Sequence, residues 1–156
     1  MKQKIIWRAL FLFGTLSSFI SCETEIDRKH YTNYMYTNKT NYKINIDVYN
    51  KFWDENSGFR YVKTSYLLLK NEVLFQEFEI LFGDKTGIIL EADSVTVSYE
   101  GLKKAYFSPI ENISSFNITN ANNYNFNEIS EIHKEYSYVF TMLDYENAED
   151  CEGSCE

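Results

Sequence analysis

Residues 42–49 read Tyr-Lys-Ile-Asn-Ile-Asp-Val-Tyr, and the order of those eight side chains decides the fold class. Ile44, Ile46 and Val48 fall on one side of an extended chain and Lys43, Asn45 and Asp47 on the other, which is the period-two signature of a half-buried strand. The pattern repeats outward. In 93–99, Val95, Val97 and Tyr99 oppose Ser94, Thr96 and Ser98, and in 134–144, Tyr136, Tyr138, Phe140 and Met142 share a face. Shorter strands are expected over 59–64, 65–69, 74–82, 88–90 and 103–108, the last stopped by Pro109. Asp54-Glu-Asn-Ser-Gly58 and Gly83-Asp-Lys-Thr-Gly87 supply turn chemistry. The Asn-rich stretch 112–127 reads as loop, with room for one helical turn. No 3.6-residue period competes, so the expectation is an all-β fold: an antiparallel immunoglobulin-like β-sandwich of about seven to eight strands. Ile46, Val97 and Phe140 should then be buried.

The chain's start has a different logic. Lys2, Lys4 and Arg8 precede an uncharged run from Ala9 to Ile20, the layout of a secretory signal. The run falls short of the ~20 apolar residues needed to span a bilayer. Phe19-Ile20-Ser21-Cys22 follows and resembles the lipobox cut by the lipoprotein signal peptidase, with the small Ser21 before Cys22 and Phe19 where Leu is more usual. Residues 1–21 therefore read as a lipoprotein signal peptide, and the Cys22 thiol as the group that takes the lipid. The alternative is an ordinary secretory signal with Cys22 an incidental thiol. Residues 22–33 read as a charged tether, 34–145 as the sandwich domain and 146–156 as an acidic, cysteine-containing tail.

The lipobox, Tyr36-Thr-Asn-Lys-Thr40 leading into Lys43–Tyr49, the strand Asp93–Tyr99, Asn120–Tyr124 and the segment Tyr136–Glu149 form an ordered set. Together they resemble a group of small uncharacterised lipoproteins of Bacteroidota-type bacteria. The resemblance spans most of residues 30–150. It implies a β-sandwich and a cell-envelope location, and it brings no catalytic residues with it.

Removing residues 1–21 takes three basic residues and leaves twelve against 23 acidic ones. So acidic a balance argues against a nucleic-acid partner, whose phosphates need clustered Lys and Arg. Cys151 and Cys155, four apart in the tail, suit a small-loop disulfide in an oxidising compartment. A redox or soft-metal site would need further ligands, and neither His30 nor His133 is near in sequence. No Gly-x-Ser-x-Gly turn, phosphate loop or paired histidines occur, so no catalytic residues, metal or cofactor are expected.

The 13 Tyr, 12 Phe and 2 Trp residues are the richest signal. They either line the inner faces of a sandwich, as Phe78, Tyr136, Tyr138 and Phe140 should, or form an exposed row suited to protein contacts or sugar stacking. Trp53, between Phe52 and Asp54, is the first candidate for exposure. Asn38-Lys-Thr40, Asn112-Ile-Ser114 and Asn117-Ile-Thr119 match N-glycosylation sequons that bacterial export rarely uses. Asp93-Ser94-Val95 is a weak match to an O-glycosylation motif. The sequence thus describes a non-enzymatic, membrane-tethered domain that presents loops to a protein or glycan partner, with a structural or assembly role in an envelope complex as the alternative. Glu23, Glu25 and Asp27, directly after Cys22, resemble a surface-export signal and favour the cell surface over the periplasmic face of the outer membrane.

Overall fold

A computed structural model describes residues 29–80, 87–109, 116–153 and 155. The lipobox, Cys22, the acids Glu23, Glu25 and Asp27, and the sequon at Asn112 lie outside them. Among the described residues, nine strands form two sheets. One sheet holds β4 (Val73–Ile80), β1 (His30–Asn38), β8 (His133–Phe140) and β7 (Asn125–Ser130) in that order. The other holds β3 (Gly58–Leu68), β2 (Ile44–Asp54), β5 (Ser94–Tyr99), β6 (Lys103–Phe107) and the two-residue β9 (Glu149–Asp150).

The alternation read from the sequence explains why the sheets stack. Ile44, Ile46, Val48, Val95, Val97 and Tyr99 are buried from one sheet, and Tyr34, Tyr36, Tyr138 and Phe140 meet them from the other in one continuous core. Ile46, Val97 and Phe140 are at most 1% exposed, and the all-β sandwich stands. Tyr136 and Phe78 are partly buried against the same core. Its centre is aromatic: Tyr34 stacks on Tyr136 at 5.2 Å and meets Phe78 edge-on, and Tyr124 meets Tyr36 edge-on at 5.9 Å. Burial pushes the hydroxyls of Tyr36, Tyr99, Tyr124 and Tyr138 well above the ordinary tyrosine range.

Several boundaries differ from the expectation, each for a physical reason. β1 pairs with β8 in parallel, whereas the other ladders are antiparallel. The strand begins at His30, so residues 30–33 belong to the sheet and not to the tether. Residues 59–64 and 65–69, expected as two short strands, are one strand, because β3 stays in unbroken register with β2 from Gly58 to Leu68. The Asn-rich stretch yields a 3₁₀ turn at Ala121–Asn123 and then β7, an exposed edge strand that had no buried face to betray it. The final strand stops at Phe140. Thr141 caps a short helix, α1 (Met142–Asn147), with its backbone N–H and hydroxyl donating to Asp144 Oδ2 at 2.7 and 2.6 Å, while Tyr138 donates to Oδ1 at 2.8 Å. Within the stretch read as tail, Glu149–Asp150 forms β9, and Cys151 and Cys155 are joined by a disulfide with Cα atoms 5.5 Å apart.

Two of the sequons have a structural use. Asn38 Oδ1 accepts from the Thr40 amide (2.9 Å) and hydroxyl (2.8 Å), and its Nδ2 donates to the carbonyls of Tyr42 and Leu68. Asn117 Oδ1 accepts from the Thr119 amide and hydroxyl in the same way. Both asparagines are buried, so these Asn-x-Thr turns fix crossings between sheets and hold no accessible acceptor for a sugar.

Candidate functional site

Strand β5 accompanies β2 only as far as Tyr49, which pairs with Ser94. Asp93 ends the ladder there: its amide donates to the Tyr49 carbonyl, and its carboxylate accepts from the Lys51 amide. Beyond that point β2 and β3 continue alone to the turn at 55–57, pairing Asn50 with Val62, Lys51 with Tyr61, Phe52 with Arg60, Trp53 with Phe59 and Asp54 with Gly58. The result is a two-stranded arm. Its turn is closed by Asp54, whose Oδ1 accepts from the amides of Asn56 and Ser57 at 2.9 Å. Gly58, at φ +73°, occupies the left-handed conformation that the return strand needs.

Both faces of the arm carry apolar side chains in water. On the outer face are Trp53 (66% exposed), Phe59 (61%) and Tyr61 (66%); on the inner face are Phe52 (54%) and Val62. Trp53 and Phe59 meet edge to face at 4.9 Å, and the Lys51 ammonium lies 3.9 Å from the Phe59 ring centre and 5.9 Å from that of Tyr61. Arg60 faces Asp54 at 3.8 Å on the inner side. Trp53 is therefore exposed, as its sequence neighbourhood suggested, near the end of β2.

At the root of the arm lies an open groove of about 850 Å³ along the outer face of the five-stranded sheet, where Asn45, Asp47, Tyr49, Lys63, Thr96 and Ser98 line it. Asp47 accepts from Ser65 at 2.6 Å and Asn45 at 3.1 Å, and pairs with Lys63 at 2.8 Å. Burial works to raise the Asp47 pKa, but Lys63, Ser65 and Asn45 together outweigh it and hold the carboxyl below its ordinary range. These partners account for the carboxylate, so its chemistry is that of a braced surface group.

Elsewhere the residues singled out from sequence do not converge. Both histidines sit on the four-stranded sheet: His30 is exposed, and His133 has its Nε2 2.8 Å from Asn33 Nδ2 and its ring edge-on to Tyr31 at 6.3 Å. The disulfide lies at the far end of β6 from the arm, where Cys155 lines the other end of the same groove. Among the described residues no three His, Cys, Asp or Glu side chains gather as a metal would require, and no helix is long and apolar enough to cross a membrane. Ser94 of the Asp93-Ser-Val95 motif is half-buried in β5 beside Tyr49. Lys51, Phe52, Phe59, Tyr61 and Val62 were missed by the sequence reading. Their signal was the adjacency of Phe52-Trp53 and Tyr61-Val62, which puts apolar groups on both faces where a half-buried strand would alternate. Comparison with protein-family models, with curated proteins and with solved structures finds no match.

Proposed function

We propose that this chain is a non-enzymatic binding module, anchored at the outer membrane through a lipid on Cys22, and that the aromatic arm is what it presents to a protein partner. One observation carries the reading. The arm exposes large aromatic and apolar side chains on both faces, at a place where the sandwich gives them nothing to pack against. Trp, Tyr, Phe and Arg are side chains that concentrate at the centres of protein interfaces. Stacking on a sugar ring would use the outer face alone, so Phe52 and Val62 on the inner face favour a protein that encloses the arm over a glycan. The acids Asp54 and Glu55 at the tip disfavour insertion into a bilayer, where an ionised carboxylate costs several kcal/mol or more.

The location rests on Phe19-Ile-Ser-Cys22 and on the acids Glu23, Glu25 and Asp27. Protease added to intact cells should remove the domain. Replacing the three acids with alanine should then protect it while leaving palmitate incorporation unchanged, and Cys22→Ala should abolish that incorporation. For the arm, a photo-reactive amino acid at Tyr61 should give a discrete cross-linked product on intact cells, and the product should disappear in a Trp53→Ser/Phe59→Ser variant. A product that survives the double substitution would mean that the arm does not hold the partner.

A further inference from the structure

Strand directions place the arm relative to the point where the chain enters the fold. At one end of the sandwich the Asn38 side-chain amide donates to the carbonyls of Tyr42 and Leu68, and the Lys39 amide donates to the Phe140 carbonyl. The end of β1, the start of β2, the end of β3 and the end of β8 therefore meet there. From that crossing β1 leads back to His30 and β8 to His133, while β2 and β3 lead the same way into the arm. β1 spans 9 residues and β2 spans 11, so the tip of the arm stands past the level of His30 by roughly 7 Å at the ordinary rise per residue. Residues 23–29 separate Cys22 from His30, and a fully extended chain of that length reaches at most roughly 28 Å. A lipid on Cys22 thus anchors the domain by the end that carries the arm.

We infer that the partner of the arm is a protein seated in the same membrane, one that rises from the bilayer beside the arm and covers its shaft on both faces. The inference rests on the reading above of a lipid on Cys22 and a protein held by the arm, and it adds where that protein sits. The order of residues along the arm separates this occupant from the bilayer itself. A hairpin that enters lipid end-on must lead with apolar side chains. Here the leading residues are Asp54, Glu55, Asn56 and Ser57, with the Asp54 carboxylate engaged by the Asn56 and Ser57 amides and by Arg60. Phe52, Trp53, Phe59, Tyr61 and Val62 stand behind them on the shaft, where only something alongside can reach them. Beyond Asp93, neither strand of the arm has an outer neighbour among the described residues, and hydrocarbon holds no water to satisfy such edges. A soluble protein would have to enter the thin layer between domain and bilayer, whereas one seated in the membrane already occupies it.

Orientation and partner are tested separately on the lipidated chain. Trp53 is the sole tryptophan once residues 1–21 are removed. In vesicles of phosphatidylethanolamine and phosphatidylglycerol that carry dansyl-labelled lipid heads, Trp53 should transfer energy to the dansyl groups. A Trp53→Phe/Leu102→Trp variant, with its tryptophan in the exposed turn after Tyr99 at the opposite end, should transfer several-fold less. Equal transfer from the two positions would overturn the inference, because the arm would then not be turned toward the bilayer. Quenching of Trp53 by lipids brominated in their acyl chains would overturn it too, with the bilayer as occupant. On intact cells, the protein captured from a photo-reactive amino acid at Tyr61 should resist alkali extraction from membranes of cells that lack this chain. A helical spacer of roughly 30 residues between Asp27 and Arg28 lifts the domain by roughly 45 Å and leaves the lipobox and the Lys29–Glu79 ion pair in place. With it the product should fall about tenfold or more, since sites that a linker cannot bring together lose their effective concentration. A product undiminished by the spacer, or a captured protein that alkali removes, would overturn the inference and leave the partner reading standing. No product from the parent chain would sink both.

Discussion

The two halves of the β2–β3 hairpin have the same register and similar apolar content, yet they live in different solvents. From Ile44 to Tyr49, β2 has β5 on one flank and β3 on the other, and Ile44, Ile46 and Val48 are fully buried beneath the opposite sheet. From Asn50 to Asp54 it has β3 alone, and Phe52 and Trp53 stand in water on opposite faces. Nothing in local β-propensity distinguishes Phe52 from Val48. What differs is whether a second layer exists to receive the side chain. A β-strand is thus extended by its ladder but made a core element only by its neighbours, and the excess length is free to serve another purpose.

The contrast is sharpest for large-to-small substitutions. Phe140→Ala, deep in the sandwich, should destabilise by about 3–5 kcal/mol, whereas Trp53→Ala or Phe59→Ala in the arm should stay within about 0.5 kcal/mol. Chemical denaturation monitored by far-UV circular dichroism separates the two ranges. An arm substitution that costs as much as Phe140→Ala would mean that the arm is packed, and would break the comparison.

Glycine substitutions sharpen it further. A Cβ on Gly87 would lie 2.9 Å from the ring of Tyr34, which is itself wedged between Tyr136 and Phe78, so Gly87→Ala should cost about 1–3 kcal/mol through overpacking. A Cβ on Gly58 meets nothing within 4 Å, but the positive φ remains, so Gly58→Ala should cost about 1–2 kcal/mol through backbone strain alone. The two can be told apart by Gly58→Asn, which tolerates the left-handed conformation and should recover most of the loss. Asparagine at 87 should recover none.

The smallest expected effect lies at the junction. Asp47 has a folded pKa below its unfolded one, so its carboxylate adds stability that is fully present above the ordinary value of 3.8 and is lost as pH falls through the lower folded value. Asp47→Asn should therefore flatten the acid limb of the stability profile below about pH 4 and leave the plateau near neutrality with a smaller stability. An acid limb identical to the parent's would show that Lys63, Ser65 and Asn45 do not hold the carboxylate as described.

How much of this was legible depends on how each strand is covered. β2, β5 and β8 could be read because one face of each is buried and the other wet, which imposes the period of two on Ile44–Val48, Val95–Tyr99 and Tyr136–Phe140. β7 could not, since Asn125–Ser130 is exposed on both faces and leaves no alternation. β1 was hidden by polar residues: Thr32, Asn33 and Asn38 are buried there, and Asn38 is satisfied by its own turn. The capping pair Thr141 and Asp144 was present in the sequence but was masked by the continuing apolar alternation through Met142. The candidate site was half legible. Trp53 stood out by type and Tyr61 was signalled only by its adjacency to Val62, whereas Phe59 acquires meaning only from the register that sets it opposite Trp53.

The central claim, that the arm is held out for a partner, is tested most directly by hydroxyl-radical footprinting of the chain in two settings. In the purified protein Trp53, Phe59 and Tyr61 should oxidise as readily as Leu102 and Phe126, which are exposed elsewhere on the molecule. On intact cells the three arm residues should be protected several-fold, by the enclosure of both faces, while Leu102 and Phe126 are unchanged. Arm residues that oxidise on cells as fast as they do in the purified protein would contradict the account.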